Sequence, residues 1–368
     1  MQRLRVGVIY GGRSSEHEVS LASAASIFSQ LDPARYDPVA VYIDRTGGWT
    51  VPEEPPATRS AGTVIRTARA GGPARGNDAR DREGSILAEL DLDVVFPIVH
   101  GPGGEDGTLQ GLLETLDLPY VGAGVLGSAV AMDKSVSKVL LAAHGLPVVP
   151  YEVVLGVDWD ADPDAVVARL EAALDYPLFV KPANLGSSIG VSRARDATEL
   201  RAAIADAYGY DDTLVIETAV PDPREIECSV MGNHMPEASM PGEVIPAGDF
   251  YDYEAKYLDD RSQVIAPAQL SDGRISEIRA MAVAAFRALG LAGMARVDFL
   301  LDETAGRLYV NEANTLPGFT TISQYPRMWE ASGVAYPELL NRLIGFALDR
   351  HARRRRPGRA PARSVGPT

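Results

Sequence analysis

Two short segments toward the C-terminal end carry the residue types that a metal bound to phosphates would need. Met294-Ala295-Arg296-Val297-Asp298-Phe299 and Tyr309-Val310-Asn311-Glu312-Ala313-Asn314 both alternate polar with apolar residues, as strands do. Glu303 to Gly306 between them reads as a hairpin turn. A period of two puts Arg296 and Asp298 on one face, and Glu312 and Asn314 on one face of the neighbour. Asp298, Glu312 and Asn314 offer hard oxygen donors, which suit Mg2+ held together with phosphates. A ladder of solvated charges on an exposed sheet face would show the same alternation, so the rest of the chain must decide.

Three glycine-rich loops extend the chemistry. Asn184-Leu185-Gly186-Ser187-Ser188-Ile189-Gly190 follows an apolar strand that ends in Lys181. Its glycines let backbone N–H groups approach an anion, its serines add donors and Lys181 adds a point charge. That makes a flap over nucleotide phosphates or, without a ligand, a plain hairpin turn; no Gly-Lys-Ser/Thr follows, so it is not a Walker A loop. Gly11-Gly12-Arg13-Ser14-Ser15-Glu16-His17-Glu18 and His100-Gly101-Pro102-Gly103-Gly104-Glu105-Asp106-Gly107 each follow a strand. Open α/β sheets place ligands at those strand ends, so the two loops read as a pocket wall or as ordinary connections. Gly122-Ala123-Gly124-Val125-Leu126-Gly127 matches a dinucleotide fingerprint, but it comes late and lacks the acidic residue that should follow, so it is read as a connection into a helix. His17 and His144 have no partner at metal-ligand spacing and are read as structural or solvated.

These elements need a scaffold, and the chain supplies one of ordinary globular composition. It has 368 residues, 46% hydrophobic and 23% charged, enough for two or three domains with cores of their own. The run Val6 to Gly12 is too short for a signal peptide and reads as a first strand, and no stretch is long enough to span a membrane. Cys228, the single cysteine, is expected as a buried small hydrophobe. A cytoplasmic enzyme that binds neither membrane nor nucleic acid is the expectation, since the net charge is −15. Seven arginines fall between Arg350 and Thr368, with no acid and no aromatic residue among them. Residues 350–368 are therefore expected to be a disordered basic tail whose removal leaves stability unchanged.

The first ~125 residues alternate strand and helix, which predicts an α/β domain with a parallel sheet. Strands are expected at Arg5–Tyr10, Pro38–Ile43 and Asp93–Val99, with helices at Val19–Leu31 and Leu109–Leu116. Pro52 to Gly84 lacks periodicity and reads as a surface insertion. One helix from Ser128 to Ala143 leads into a central unit, and helices around Tyr325–Ser332 and Pro337–Asp349 close the chain.

Read in order, six segments resemble the D-alanine–D-alanine ligases of the ATP-grasp superfamily. They are Gly11-Gly12-x-Ser14-x-Glu16-x-Glu18-Val19-Ser20, His100-Gly101-x-Gly103-Gly104-Glu105-Asp106-Gly107, Met132-Asp133-Lys134, Gly186-Ser187-Ser188-x-Gly190, Phe250-Tyr251-Asp252-Tyr253-Glu254-Ala255-Lys256-Tyr257 and Glu312-Ala313-Asn314-Thr315-x-Pro317-Gly318. The resemblance runs from about residue 4 to residue 345. It implies an ATP-grasp architecture: an N-terminal α/β domain (1–125), a small central domain (126–220) and a mixed-sheet C-terminal domain (221–349), α+β where ATP binds.

The resemblance also assigns roles. ATP would meet Lys134, Lys181 and Ser188 at its phosphates, Glu217 at the adenine amino group and Glu225 at the ribose. Two ions, Mg2+ or Mn2+, would sit on Asp298, Glu312 and Asn314. Arg296 and the N–H of Gly318 would form an oxyanion hole. Glu16 would anchor the first D-alanine near His100, and Ser323 the carboxylate of the second, with Lys256 alongside. Glu16, Ser187 and Tyr257 match a hydrogen-bonded triad, and this Tyr goes with dipeptide-forming members, which argues against D-lactate as second substrate. Leu316 stands where a Ser is common, and Thr321 to Gln324 also vary, so the fine substrate preference stays open between D-alanine, D-lactate and D-serine. A homodimer is what the family suggests.

Overall fold

The computed structural model describes residues 3–56, 83–245, 263–320 and 322–355. Most of the Pro52–Gly84 insertion and all of the Phe250–Tyr257 segment, with Lys256 and Tyr257, lie outside them. Among the described residues three sheets carry the fold.

The first sheet has the order β3-β2-β1-β4, built from β1 (Leu4–Gly11), β2 (Tyr36–Ile43), β3 (Trp49–Thr50) and β4 (Val94–Pro97). β1 runs parallel to both β2 and β4, as expected, and only the two-residue β3 is antiparallel. Alternation along β1 sorts its side chains between two cores. Val6, Val8 and Tyr10 join Ala24 and Ile27 of helix His17–Gln30 on one face. Ile9 joins Leu87 of helix Glu83–Glu89 and Leu109 and Leu113 of helix Thr108–Thr115 on the other. The helix that opens at Glu83 takes up the end of the expected insertion.

A second sheet, β5-β8-β6-β7, is antiparallel throughout and comprises β5 (Tyr151–Leu155), β6 (Leu178–Pro182), β7 (Ser192–Ala194) and β8 (Thr213–Thr218). Helices Pro163–Ala173 and Ala197–Ala207 bury Val166, Leu170, Leu200 and Ile204 against it. The third sheet runs β12-β11-β9-β13-β14, with β10 paired to β9. Its strands are β9 (Arg224–Gly232), β10 (Glu237–Ala238), β11 (Gly242–Ile245), β12 (Gln263–Ile265), β13 (Gly293–Asp302) and β14 (Arg307–Asn314). Helix Asp272–Ala288 covers one face with Ile278, Ala282 and Phe286, and Cys228 is buried there as expected.

Two expectations need correction. Ser128–Ala143 is two helices, Val125–Met132 and Lys134–Ala143. Asp133 separates them in an extended conformation, and its carboxylate accepts the N–H groups of Ser135 and Val136 as an N-cap. The basic tail does not begin disordered at Arg350. The last helix continues to Arg354, and its Leu339, Leu343 and Ile344 enter the core of the first sheet. The Arg350 guanidinium donates to the carbonyls of Gly122 and Tyr120 and stacks 4.4 Å over the Tyr120 ring. Arg354 pairs with Glu114, and Arg355 with Asp117. Arginine composition signalled solvation, whereas here the guanidinium finds carbonyls, a ring and carboxylates to satisfy it.

The loop after β4 leaves little room. A Cβ on Gly104 would lie 1.9 Å from the Val99 carbonyl oxygen. Backbone cannot yield as a flexible side chain would, so Gly104→Ala is expected to displace the loop at a cost of about 1–3 kcal/mol. A melting curve superimposable on that of the parent chain would show that the loop absorbs the methyl group.

Candidate active site

The hairpin read from the sequence forms as expected. β13 and β14 pair antiparallel, with Asp298 opposite Glu312 and Arg296 opposite Asn314. A bulge between Asp298 and Phe299 shifts the register beyond them. Ala295, Val297 and Phe299 point into the core, which leaves Arg296 and Asp298 on the other face. There Arg296 donates two bonds to Asp298, at 2.7 and 2.6 Å, and approaches Glu227 of β9 at 3.3 Å. Burial alone would lower the proton affinity of this guanidinium, but Asp298 and Glu227 outweigh it and raise its pKa well above the usual range.

A cavity of about 340 Å³ opens over this face. Glu16, His100, Lys134, Ser187, Arg296, Glu312, Asn314, Gly318 and Ser323, all singled out in the sequence, line it. Lys181, Ser188, Glu217, Glu225 and Asp298 are not among its lining residues, although Asp298 is held by Arg296, which is.

Each side arrives on its own element. Glu16 immediately precedes the helix that follows β1, and His100 follows β4. Ser14 Oγ donates to the His100 carbonyl at 2.7 Å and ties the two loops together. Ser187 comes from the loop after β6 and donates to Glu16 at 2.5 Å, across 171 residues of sequence. Two members of the expected triad therefore meet. Lys134, at the start of its helix, donates to the Leu185 carbonyl and lies 3.8 Å from Glu312. Ser323 Oγ accepts from the Thr320 N–H at 3.0 Å and stands where a Cβ on Gly318 would come within 2.8 Å of it.

Around the cavity the charges are dense. Lys181 lies 2.8 Å from Glu217 and 3.5 Å from Asn311 Oδ1. Burial alone would raise the Glu217 pKa, but Lys138 and Lys181 outweigh it and hold it at about 2. His100 is buried, and burial lowers its pKa, favouring a neutral imidazole. Burial, then the charge of Glu16, raise the Glu105 pKa well above the usual carboxylate range.

Three of these groups were not singled out as site residues from the sequence. Glu227 shares the face of Glu225 by strand alternation, so the pattern held a signal for it. Glu105 was seen only as part of its loop. Lys138 lies four residues after Lys134, on the same helix face, but as a lysine in an amphipathic helix it gave no sign of burial. Among the described residues no three His, Cys, Asp or Glu side chains cluster tightly enough to hold a metal by themselves. Asp298, Glu312 and Asn314 supply two carboxylates and one amide oxygen, a donor set that fits Mg2+ when phosphates and water complete the shell. Among the described residues no helix is long and apolar enough to cross a membrane.

Comparison with known proteins points to one family. The family described as D-ala D-ala ligase N-terminus matches residues 5–123, and D-ala D-ala ligase C-terminus matches residues 140–345. A D-alanine--D-alanine ligase of Geobacillus thermodenitrificans is 46% identical over 359 residues, covering 95% of this chain and 96% of its own length. The structure of the D-alanine-D-alanine ligase from Coxiella burnetii superposes with a TM-score of 0.80 at 38% identity, over 96% of each chain. The VanG D-Ala:D-Ser ligase from Enterococcus faecalis gives 0.79 at 31% identity, over 94% of this chain and 100% of that one.

Proposed function

This chain belongs to the D-alanine–D-alanine ligase family, and from that premise we infer that it joins two D-alanines at the expense of ATP, with a divalent cation, to supply the peptidoglycan precursor. The observation that carries the reading is the meeting in one cavity of Glu16 from the loop after β1, Ser187 from the loop after β6, and Arg296 with Glu312 from the third sheet.

The reaction divides in two. The carboxylate of the first D-alanine attacks the γ-phosphate and forms D-alanyl phosphate and ADP. The amine of the second then attacks the acyl carbon, and the tetrahedral intermediate expels phosphate. Glu16 would hold the ammonium of the first substrate beside His100, whose neutral form suits hydrogen bonding without added charge. Arg296 and the Gly318 N–H would receive the developing oxyanion. The two carboxylates that flank Arg296 hold its charge fixed before substrate arrives, so little reorganisation remains during reaction. Ser323 would bind the carboxylate of the second D-alanine. Lys134, Lys181 and Ser188 would contact the phosphates, Glu217 the adenine amino group and Glu225 the ribose. Asp298, Glu312 and Asn314 would hold two Mg2+ or Mn2+ ions, which offset phosphate charge during transfer. Lys256 and Tyr257 would complete the nucleophile's side of the site.

ATP would lie between a central unit (126–220) and a C-terminal unit (221–349). A cytoplasmic homodimer is the assembly we propose. The likeness to a D-Ala:D-Ser ligase supports a second reading, in which D-serine is the nucleophile. Phosphate release and product analysis with ATP, Mg2+ and D-alanine, alone or with D-lactate or D-serine, separate the two. D-alanyl-D-alanine as main product is expected. A mixed product formed in preference to it would move the chain to the second reading, and no ligated product with any acceptor would overturn both.

A further inference from the structure

One buried group lies outside every role above. Lys138 is 1% exposed in a helix whose first residue is Lys134. Its ammonium lies 2.8 Å from Glu217 Oε1, while Lys181 lies 2.8 Å from Oε2 of the same carboxylate. Two ammonium groups thus share one carboxylate in a buried place. Burial lowers the proton affinity of Lys138, Glu217 opposes that effect, and Lys181 adds to it. The ring of Tyr151 lies 5.7 Å from the ammonium. Glu312 and Glu225 also draw on Lys181, so Lys181 is not reserved for Glu217, while desolvation of the enclosed Lys138 ammonium remains a cost to the fold without nucleotide.

The two lysines differ in freedom. The Lys181 side chain is 15% exposed and already reaches toward Asn311, next to Glu312. The Lys138 side chain is 1% exposed and enclosed. A polyanionic triphosphate arriving at Glu312 can draw on Lys181 but not on Lys138.

We infer that Lys138 is a positioning residue for the nucleotide: it is the counter-ion that keeps Glu217 charged and in place when the phosphates of ATP draw Lys181 away. The inference rests on the reading that Glu217 meets adenine and Lys181 the phosphates. Its consequence is that Lys138 acts in opposite directions on the empty and the loaded protein. It burdens the empty fold with a buried charge and strengthens the ATP complex, whereas a purely structural lysine would support both.

Lys138→Met keeps an unbranched side chain, one atom shorter, and removes its charge. The expected result is an unliganded melting temperature equal to or above that of the parent, with ATP and Mg2+ bound at least ~10-fold more weakly in calorimetry, because Glu217 loses its remaining partner when ATP binds. The KM for D-alanine should stay within about twofold, since uniform loss of nucleotide binding leaves the other substrate's contacts intact. Preference for ATP over ITP, which lacks the 6-amino group, should fall as well. Parent-like ATP affinity overturns the inference, and so does a fall in melting temperature together with ATP affinity. Glu217→Gln separates this inference from the reading beneath it. If that variant keeps parent affinity and preference for ATP, the role given to Glu217 is wrong. If it loses them while Lys138→Met does not, only the role given to Lys138 is wrong. The double variant covers a single variant that fails to fold. Without the carboxylate there is nothing to hold, so adding Lys138→Met to Glu217→Gln should weaken ATP binding no further, and an additional loss overturns the inference.

Discussion

Glu312→Gln is expected to turn over at least ~100-fold more slowly than the parent chain at saturating Mg2+, the usual scale for removing one preorganised electrostatic group. The substitution keeps shape and removes only charge. Glu312 faces Asp298 across the hairpin, lines the cavity and lies 3.8 Å from Lys134. Its charge also reaches Lys181 and Arg296, both of which it helps keep protonated. On the proposed reading the nucleotide's metal would lose a ligand, and Lys134, Lys181 and Arg296 would lose a fixed counter-charge. The side chain is 33% exposed, so stability should change little and the effect should fall on turnover and on nucleotide binding. Near-normal turnover would mean that the Glu312 carboxylate takes no part in holding the nucleotide's metal.

The second large effect is expected at the C-terminus. Ending the chain after Asp349 should lower its stability by about 2–4 kcal/mol, the sum of lost charge-assisted hydrogen bonds and a cation–π contact. Arg350 donates to the carbonyls of Gly122 and Tyr120, and both would lose this donor. Gly122 packs so closely on Gly293, the first residue of β13, that a Cβ on Gly293 would lie 2.9 Å from the Gly122 nitrogen. Release of Arg350 should therefore loosen the base of the strand that carries Arg296 and Asp298. Ending the chain after Arg355 instead should leave the melting temperature unchanged. Equal melting for both truncations would show that Arg350 to Arg355 add nothing.

The ligand-bearing hairpin was legible because strand alternation and a turn are local signals, and the two strands are neighbours in sequence. Glu16, His100 and Ser187 were placed on loops at strand ends by their glycines, yet their meeting is a long-range fact that spacing alone does not contain. The family resemblance supplied it for Glu16 and Ser187, and their 2.5 Å bond agrees. The break at Asp133 is present in the sequence as a capping residue, but helix-forming residues before and after it hide the break. Lys138 and Arg350 were illegible for one physical reason: composition treats a cation as a solvated group, and only the fold reveals a carboxylate or a pair of carbonyls waiting for it. Lys256 and Tyr257 lie outside the described residues, so their roles rest on resemblance alone.

The last helix also bears on how the chain is made. Leu339, Leu340, Leu343, Ile344 and Ala347 share one core with Val6, Val8, Val94 and Phe96. The ribosome delivers the strands of the first sheet long before it delivers the helix that completes their cover. During synthesis that sheet stands with apolar surface still open, in the state where chaperones bind and neighbouring chains aggregate. Its final closure joins an early segment to a late one, so a nascent chain that stops short of Tyr336 lacks the last piece of its first layer.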